Sequence, residues 1–240
     1  MAKNKENQSA EVLDAPVQKT KETTKSSISN FDVDGFFEKN RKILFISLVV
    51  IFVLGLGYAG YNYYVSSQDS EAKKEVFPAE YYWEHDSLDL ALNGDKVNRG
   101  LTEISEEYSG TATANLANYR IGFALLKKGK YEEAIEYLKK FSSSDMLVQA
   151  RAYALIGDAN LELKNYEEAI TYYKKASDYK PNEYFTPRYL MKLGLAYELN
   201  NDYKSAAEAY GKIADQYSGA QEYNDARKSK ARAEELAGQE

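Results

Sequence analysis

IGDANLELKNYEEAITYY, residues 156–173, decides the fold, because the chain carries it three times over. IGFALLKKGKYEEAIEYL at 121–138 and LGLAYELNNDYKSAAEAY at 193–210 set out the same residue types in the same order. Gly122, Gly157 and Gly194 stand 35 and 37 residues apart, and Tyr131, Tyr166 and Tyr203 keep both intervals, as do Ala134, Ala169 and Ala206. A period of this length marks a supersecondary unit that buries its apolar face by stacking on its neighbours. Inside each copy a polar break (Gly129-Lys130, Lys164-Asn165 or Asn201-Asp202) separates two stretches that read as helices. Gly and Ala fall where two helices must approach closely, and the large residues fill the seam between one pair and the next.

The second copy is the fullest, with Tyr153, Ile156-Gly157, Ala169, Tyr173 and a closing Pro181. The third has Leu190, Leu193-Gly194, Tyr197, Ala206 and Tyr210. The first departs most, with Asn118 and Leu125 at the two aromatic positions and no closing proline. Together they resemble the tetratricopeptide repeat, a period of ~34 residues with the pattern W-x2-L-G-x2-Y…A-x3-F…P. The expected fold is all-α, a tetratricopeptide-repeat helical solenoid behind a single transmembrane helix and a disordered N-terminal tail. Three repeats are expected over 111–220, with Thr186 as an N-cap and Pro187 in the first turn of the third. Residues 66–110 are expected to hold a stalk and a degenerate first helical unit, Pro78–Asn93 paired with Lys96–Tyr108 across Gly94-Asp95. Residues 221–240 read as a polar capping helix and C-terminal tail.

Outward from the repeats, residues 43–65 read ILFISLVVIFVLGLGYAGYNYYV, inside 26 uncharged residues between Lys42 and Asp69. A bilayer core takes ~20 apolar residues as helix, since every backbone amide there must be satisfied internally. Tyr58, Tyr61, Tyr63 and Tyr64 cluster at one end, where amphipathic rings favour the headgroup zone. The apolar run starts 42 residues in, too late for a secretory signal of ~15–30 residues, so it reads as a retained anchor. Lys39, Arg41 and Lys42 abut it on one side, whereas Lys73 and Lys74 on the other are diluted by Asp69, Glu71 and Glu75. The positive-inside bias places the N-terminus in the cytoplasm and the repeats across the membrane, in a bacterium the periplasm. Residues 1–30 are polar and aperiodic and read as a disordered cytoplasmic tail; 31–42 form a juxtamembrane segment whose Phe31–Phe37 stretch suits a short interfacial helix.

The 240 residues contain no Cys, one His and a formal net charge of −6. Disulfide scaffolds, Cys-ligated zinc and Cys nucleophiles are therefore excluded. The acidic balance argues against nucleic acid, which needs a basic face. Glu84-His85-Asp86 with Asp89 offers no catalytic pair, because neighbours in a helix point apart and only 85 and 89 share a face. No Gly-x-Ser-x-Gly, no His-Glu-x-x-His and no phosphate loop occurs. The chain reads as a non-enzyme with no catalytic residues, no metal and no cofactor.

The tetratricopeptide resemblance implies a concave groove lined by the first helix of each repeat. Carried onto this chain, those positions are Leu116, Tyr119, Phe123, Leu126 and Lys127, then Arg151, Ala154, Asp158, Leu161 and Glu162, then Arg188, Met191, Leu195, Glu198 and Leu199. An aromatic entrance with mixed charge beyond suits an extended or helical peptide. Tyr119 and Phe123 stand where carboxylate-clamping members carry Lys and Asn, which argues against a two-carboxylate clamp even though Arg188 and Lys192 match the other half. The stretches AEYYWEHDSLDLALNGD (79–95), GLTEISEEYSGTATANLANYRIGFALLKKGKYEEAI (100–135) and YFTPRYLMKLGLAYE (184–198) look like the ancillary SecYEG translocon subunit, the YfgM-like family, of Bacteroidota type. That likeness implies a bacterial inner-membrane protein beside the SecYEG translocon, with a PpiD-like periplasmic prolyl isomerase and polypeptide clients as partners. The alternative is an envelope scaffold for division, cell-wall or outer-membrane machinery.

Overall fold

The computed structural model describes the backbone of residues 33–239 and the side chains from Glu38 onward. The expected disordered tail at 1–30 and residues Phe31 and Asp32 lie outside the described residues. The order is α1 Val33–Glu84, α2 Leu88–Asn93, α3 Leu101–Glu107, α4 Ala112–Lys127, α5 Tyr131–Lys140, α6 Met146–Glu162, α7 Tyr166–Asp178, α8 Thr186–Leu199, α9 Tyr203–Gln216 and α10 Tyr223–Ala237. No strand occurs among the described residues. The chain divides into two compact units between Leu54 and Gly55. In the first, α1 presents exposed apolar side chains such as Ile43, Phe45, Ile46, Leu48 and Leu54.

In the second unit α4–α5, α6–α7 and α8–α9 form three antiparallel hairpins; α5 stacks on α6, α7 on α8, and α10 covers α9. Each hairpin turns through one left-handed residue, Gly129, Lys164 or Asn201, with φ of 74°, 60° and 60°. In all three the next amide reaches five residues back, from Lys130 to Leu125 O, Asn165 to Asn160 O and Asp202 to Tyr197 O, at 2.8–2.9 Å. This closure satisfies carbonyls that the helix end would orphan. The interval between turns is the interval between the repeated glycines. Ala134, Ala169 and Ala206 have no exposed surface, each sealing the crossing of its hairpin.

Gly157 lies against the ring of Tyr173 so closely that a Cβ would sit 2.6 Å from Cε1; at Gly194 the corresponding distance to Tyr210 Cε1 is 2.4 Å. The ring of the second helix thus occupies the space that glycine vacates in the first. In the first repeat Leu138 takes that place, 2.5 Å from a Cβ at Gly122. Asn118, at the first aromatic position of that repeat, is buried and accepts a 2.7 Å bond from the Ser105 hydroxyl of α3. The polar departure is therefore paired rather than orphaned.

Ahead of the repeats the arrangement differs from expectation. No helix starts at Pro78: α1 runs through it to Glu84, beyond Tyr63–Lys74, the stretch that reads as a stalk continuing the membrane helix. An interior proline costs about 3 kcal/mol. Burial offsets it, because Ala72, Val76 and Ala79 pack with Leu101, Ile104 and Ala117 in one apolar cluster. Polar contacts pin the same face. Asp69 accepts from the Thr113 amide and hydroxyl, both at 2.9 Å, and Glu75 and Glu80 pair with Arg99 and Arg120. Burial pushes the Asp69 carboxyl up, but bonds from Lys73 and Thr113 outweigh it and hold the group below its ordinary range. The irregular helical segment ahead of the repeats therefore draws on the end of α1, which shares the apolar cluster with α3 and is bonded to α4, and α2 is a short connector. At the third hairpin Thr186 is the first helical residue rather than its cap, and its hydroxyl accepts from the Asn182 amide at 2.8 Å. The capping helix forms as α10, with Ala226 and Ala233 buried.

Candidate functional site

The first helices of the hairpins expose one face each to a shared concavity of about 870 Å³. From α4 come Leu116, Tyr119, Arg120 and Phe123; from α6 Leu147, Val148, Arg151, Ala154, Leu155 and Asp158; from α8 and its lead-in Phe185, Arg188, Tyr189 and Lys192. The intervals of three and four residues are those of a single helix face, so regular helix geometry alone aligns them. Trp83, from the end of α1, closes one side.

Aromatic rings form the walls. Trp83 meets Phe123 edge-on with centroids 5.5 Å apart, and Tyr119 lies 5.1 Å from Phe141. Burial raises the phenol pKa of both Tyr119 and Tyr189, a shift that the Arg151 charge opposes. Both hydroxyls therefore stay protonated at neutral pH and can donate or accept. The Arg151 guanidinium stands 5.4 Å from the Phe123 ring centre and that of Arg188 is 5.9 Å from Phe185. Asp158 binds Lys192 through both oxygens at 2.6 and 2.7 Å and accepts from the Tyr173 hydroxyl at 2.7 Å. Burial and the Asp158 charge push the Tyr173 phenol far up, which keeps it a donor. This cluster fastens the second repeat to the third at the floor of the groove.

Of the expected groove residues, Tyr119, Phe123, Arg151, Asp158 and Arg188 line the cavity, with Leu116 and Ala154. Four others do not. Lys127, in the last turn of α4, pairs with Asp86 at 3.0 Å and stands 5.5 Å from the Phe123 ring centre. Glu162 is an exposed residue at the end of α6. Met191 packs among the core residues around Leu193 and Tyr210. Glu198 is held by Arg232 of α10 at 2.6 and 2.9 Å, so it serves the C-terminal cap. Leu126, Leu161, Leu195 and Leu199 also lie off the cavity. Widening the helical stripe by one residue would have found Arg120, Leu155 and Tyr189 and placed Lys192, already noted beside Arg188, in the groove. Extending it one turn toward the N-terminus would have found Leu147, Val148 and Phe185. Trp83 had no such signal, because it arrives from α1 outside the repeat.

On α1, Lys39, Arg41 and Lys42 are exposed, as are Tyr58 and Tyr61. The helix is long and apolar enough to cross a membrane, and none of its apolar window is buried against the described residues. Among the described residues no three His, Asp or Glu side chains gather in a way that would hold a metal ion.

Comparison with known proteins agrees with the geometry. The tetratricopeptide repeat pattern matches residues 119–184, and a second tetratricopeptide repeat pattern matches 188–220. The hairpins over that span are tetratricopeptide repeats. A crystal structure of MamA protein is similar with a TM-score of 0.52 at 22% identity, covering 70% of this chain and 82% of that one. Nearly identical TPR-like repeats of a Podosopora anserina protein described as a kinesin light chain give 0.51 at 15% identity, covering 71% and 89%. At these identities the likeness is one of fold. No curated protein matches the chain by sequence.

Proposed function

We propose that the chain is a single-pass protein of the bacterial inner membrane whose repeat domain binds polypeptide in the periplasm. In that role it is an accessory subunit of the Sec translocon that works beside a membrane-bound prolyl isomerase on emerging chains. One observation carries the proposal: an aromatic-walled groove built by three repeats, on a chain whose long apolar helix is covered by none of the described residues. Such a helix finds its apolar partner in lipid, and such a groove finds its own in another polypeptide. The basic flank Lys39, Arg41 and Lys42 supports a cytoplasmic N-terminus. The stretches at 79–95, 100–135 and 184–198 support the translocon assignment through their likeness to the YfgM-like family. The groove works by binding and makes or breaks no bond.

Protease added to spheroplasts should digest the chain beyond Asp69 and spare the tail; a protected C-terminal domain reverses the topology. Purification from crosslinked membranes should recover translocon subunits together with a periplasmic folding factor. Recovery of division, wall or outer-membrane assembly proteins alone would assign the domain to envelope scaffolding instead.

A further inference from the structure

We infer that the groove selects an internal acidic residue flanked on both sides by apolar side chains, and that Arg151 is the side chain that reads it. This rests on the groove being the polypeptide-binding surface. Four cations line it, Arg120, Arg151, Arg188 and Lys192, against one acid, Asp158. Three of the four are already matched: Arg120 by Glu80, Arg188 by Glu222 at 3.1 Å, and Lys192 by Asp158 at 2.6 Å. Arg151 has no carboxylate within ion-pair reach among the described residues; its neighbour is the Phe123 ring. In a chain of net charge −6, the concave face thus carries one uncompensated guanidinium. A guanidinium held by an aromatic ring is positioned for a carboxylate, which it can bind through two parallel N–H donors.

The flanking walls choose between the two sources of a carboxylate. Arg151 belongs to the middle helix, α6, with Tyr119 and Phe123 of α4 to one side and Phe185 and Tyr189 of the α8 region to the other. A chain end places side chains on only one side of its carboxylate and leaves one wall empty. An Asp or Glu within a segment, with apolar residues a short step before and after, fills both.

The test uses the full-length chain in detergent micelles and fluorescence polarisation with a labelled, amidated probe, Gly-Ser-Phe-Ala-Glu-Ala-Leu-Ser-Gly. Replacing the probe's Glu by Gln should weaken binding about 10-fold and by Lys further, the scale of a partly solvated charge contact. Arg151→Gln should erase the Glu-over-Gln preference, and Arg151→Glu should reverse the preference toward the Lys probe. Unchanged thermal unfolding of both variants separates this from misfolding. Equal binding of the Glu and Gln probes overturns the inference while leaving the groove as a polypeptide site. Tighter binding of a probe with Glu only at a free C-terminus overturns it in favour of chain-end capture. Binding of none of the probes removes the groove as a polypeptide site, and the inference with it.

Discussion

Gly157→Leu should unfold the middle of the repeat array, and even Gly157→Ala should destabilise it. By helix propensity alone, Gly→Ala inside a helix gains about 1 kcal/mol, so a loss requires a steric cause. That cause is the Tyr173 ring, 2.6 Å from where the new Cβ would stand. The ring cannot swing away: Tyr173 has no exposed surface, and its hydroxyl is tied to Asp158. Overpacking of this kind costs ~1–3 kcal/mol, and a leucine belongs at or beyond the upper end. Coupling between neighbouring repeats spreads the damage, since the same Tyr173–Asp158–Lys192 cluster joins the second repeat to the third. Gly211 supplies the control within a helix of the same domain. A Cβ there meets the flexible Lys230 chain at an ordinary 3.6 Å, so Gly211→Ala should be neutral or stabilising. Circular dichroism melts of the full-length variants in micelles report both; equal melts for Gly157→Ala and Gly211→Ala would contradict the close approach.

The second large effect is on binding. Tyr119→Ala with Phe123→Ala should cost partner affinity ~2–4 kcal/mol, roughly 30- to 1000-fold, because aromatic anchors at the centre of an interface dominate its energy. Phe123 is the hub of the groove, touching Trp83 and facing Arg151, while Tyr119 leans on Phe141 behind it. Truncation therefore removes both the contact surface and the ring that positions the arginine. Tyr172, whose ring is faced by Lys139 and Lys175 and which does not line the cavity, is the comparison. Tyr172→Ala should leave affinity unchanged. Isothermal titration with a purified partner, beside melts that show the fold intact, separates the two. Unaltered binding in the double variant would move the working surface off the concave face.

The repeats were legible because periodicity and close packing demand the same residues. Gly157 and Gly194 stand out in the sequence for the reason they matter in the fold: the aromatic ring 16 residues later needs the space. The turns were equally legible, since Gly129 and Asn201 tolerate the left-handed conformation that Lys164 adopts in the same frame. What precedes the repeats was not. Pro78 is a strong local break signal, and only the long-range burial of Ala72, Val76 and Ala79 against α3 and α4 overrides it. The groove was half legible. A stripe at helical spacing predicts which residues share a face, and Tyr119, Arg151 and Arg188 followed from it. Where that face stops being groove depends on neighbours from other elements: Arg232 of α10 claims Glu198, and Trp83 of α1 enters a wall to which no repeat position corresponds.

The central claim is that this concave face holds polypeptide while the chain sits in its membrane. Site-specific photocrosslinking tests it most directly, with a photoreactive amino acid at Leu147, which lines the groove and is exposed there, and at Tyr172 for comparison. After irradiation of intact cells, the Leu147 probe should give adducts containing a translocon subunit, a periplasmic folding factor or an emerging polypeptide, and the Tyr172 probe should give none of them. Adducts from Tyr172 with none from Leu147 would contradict the account.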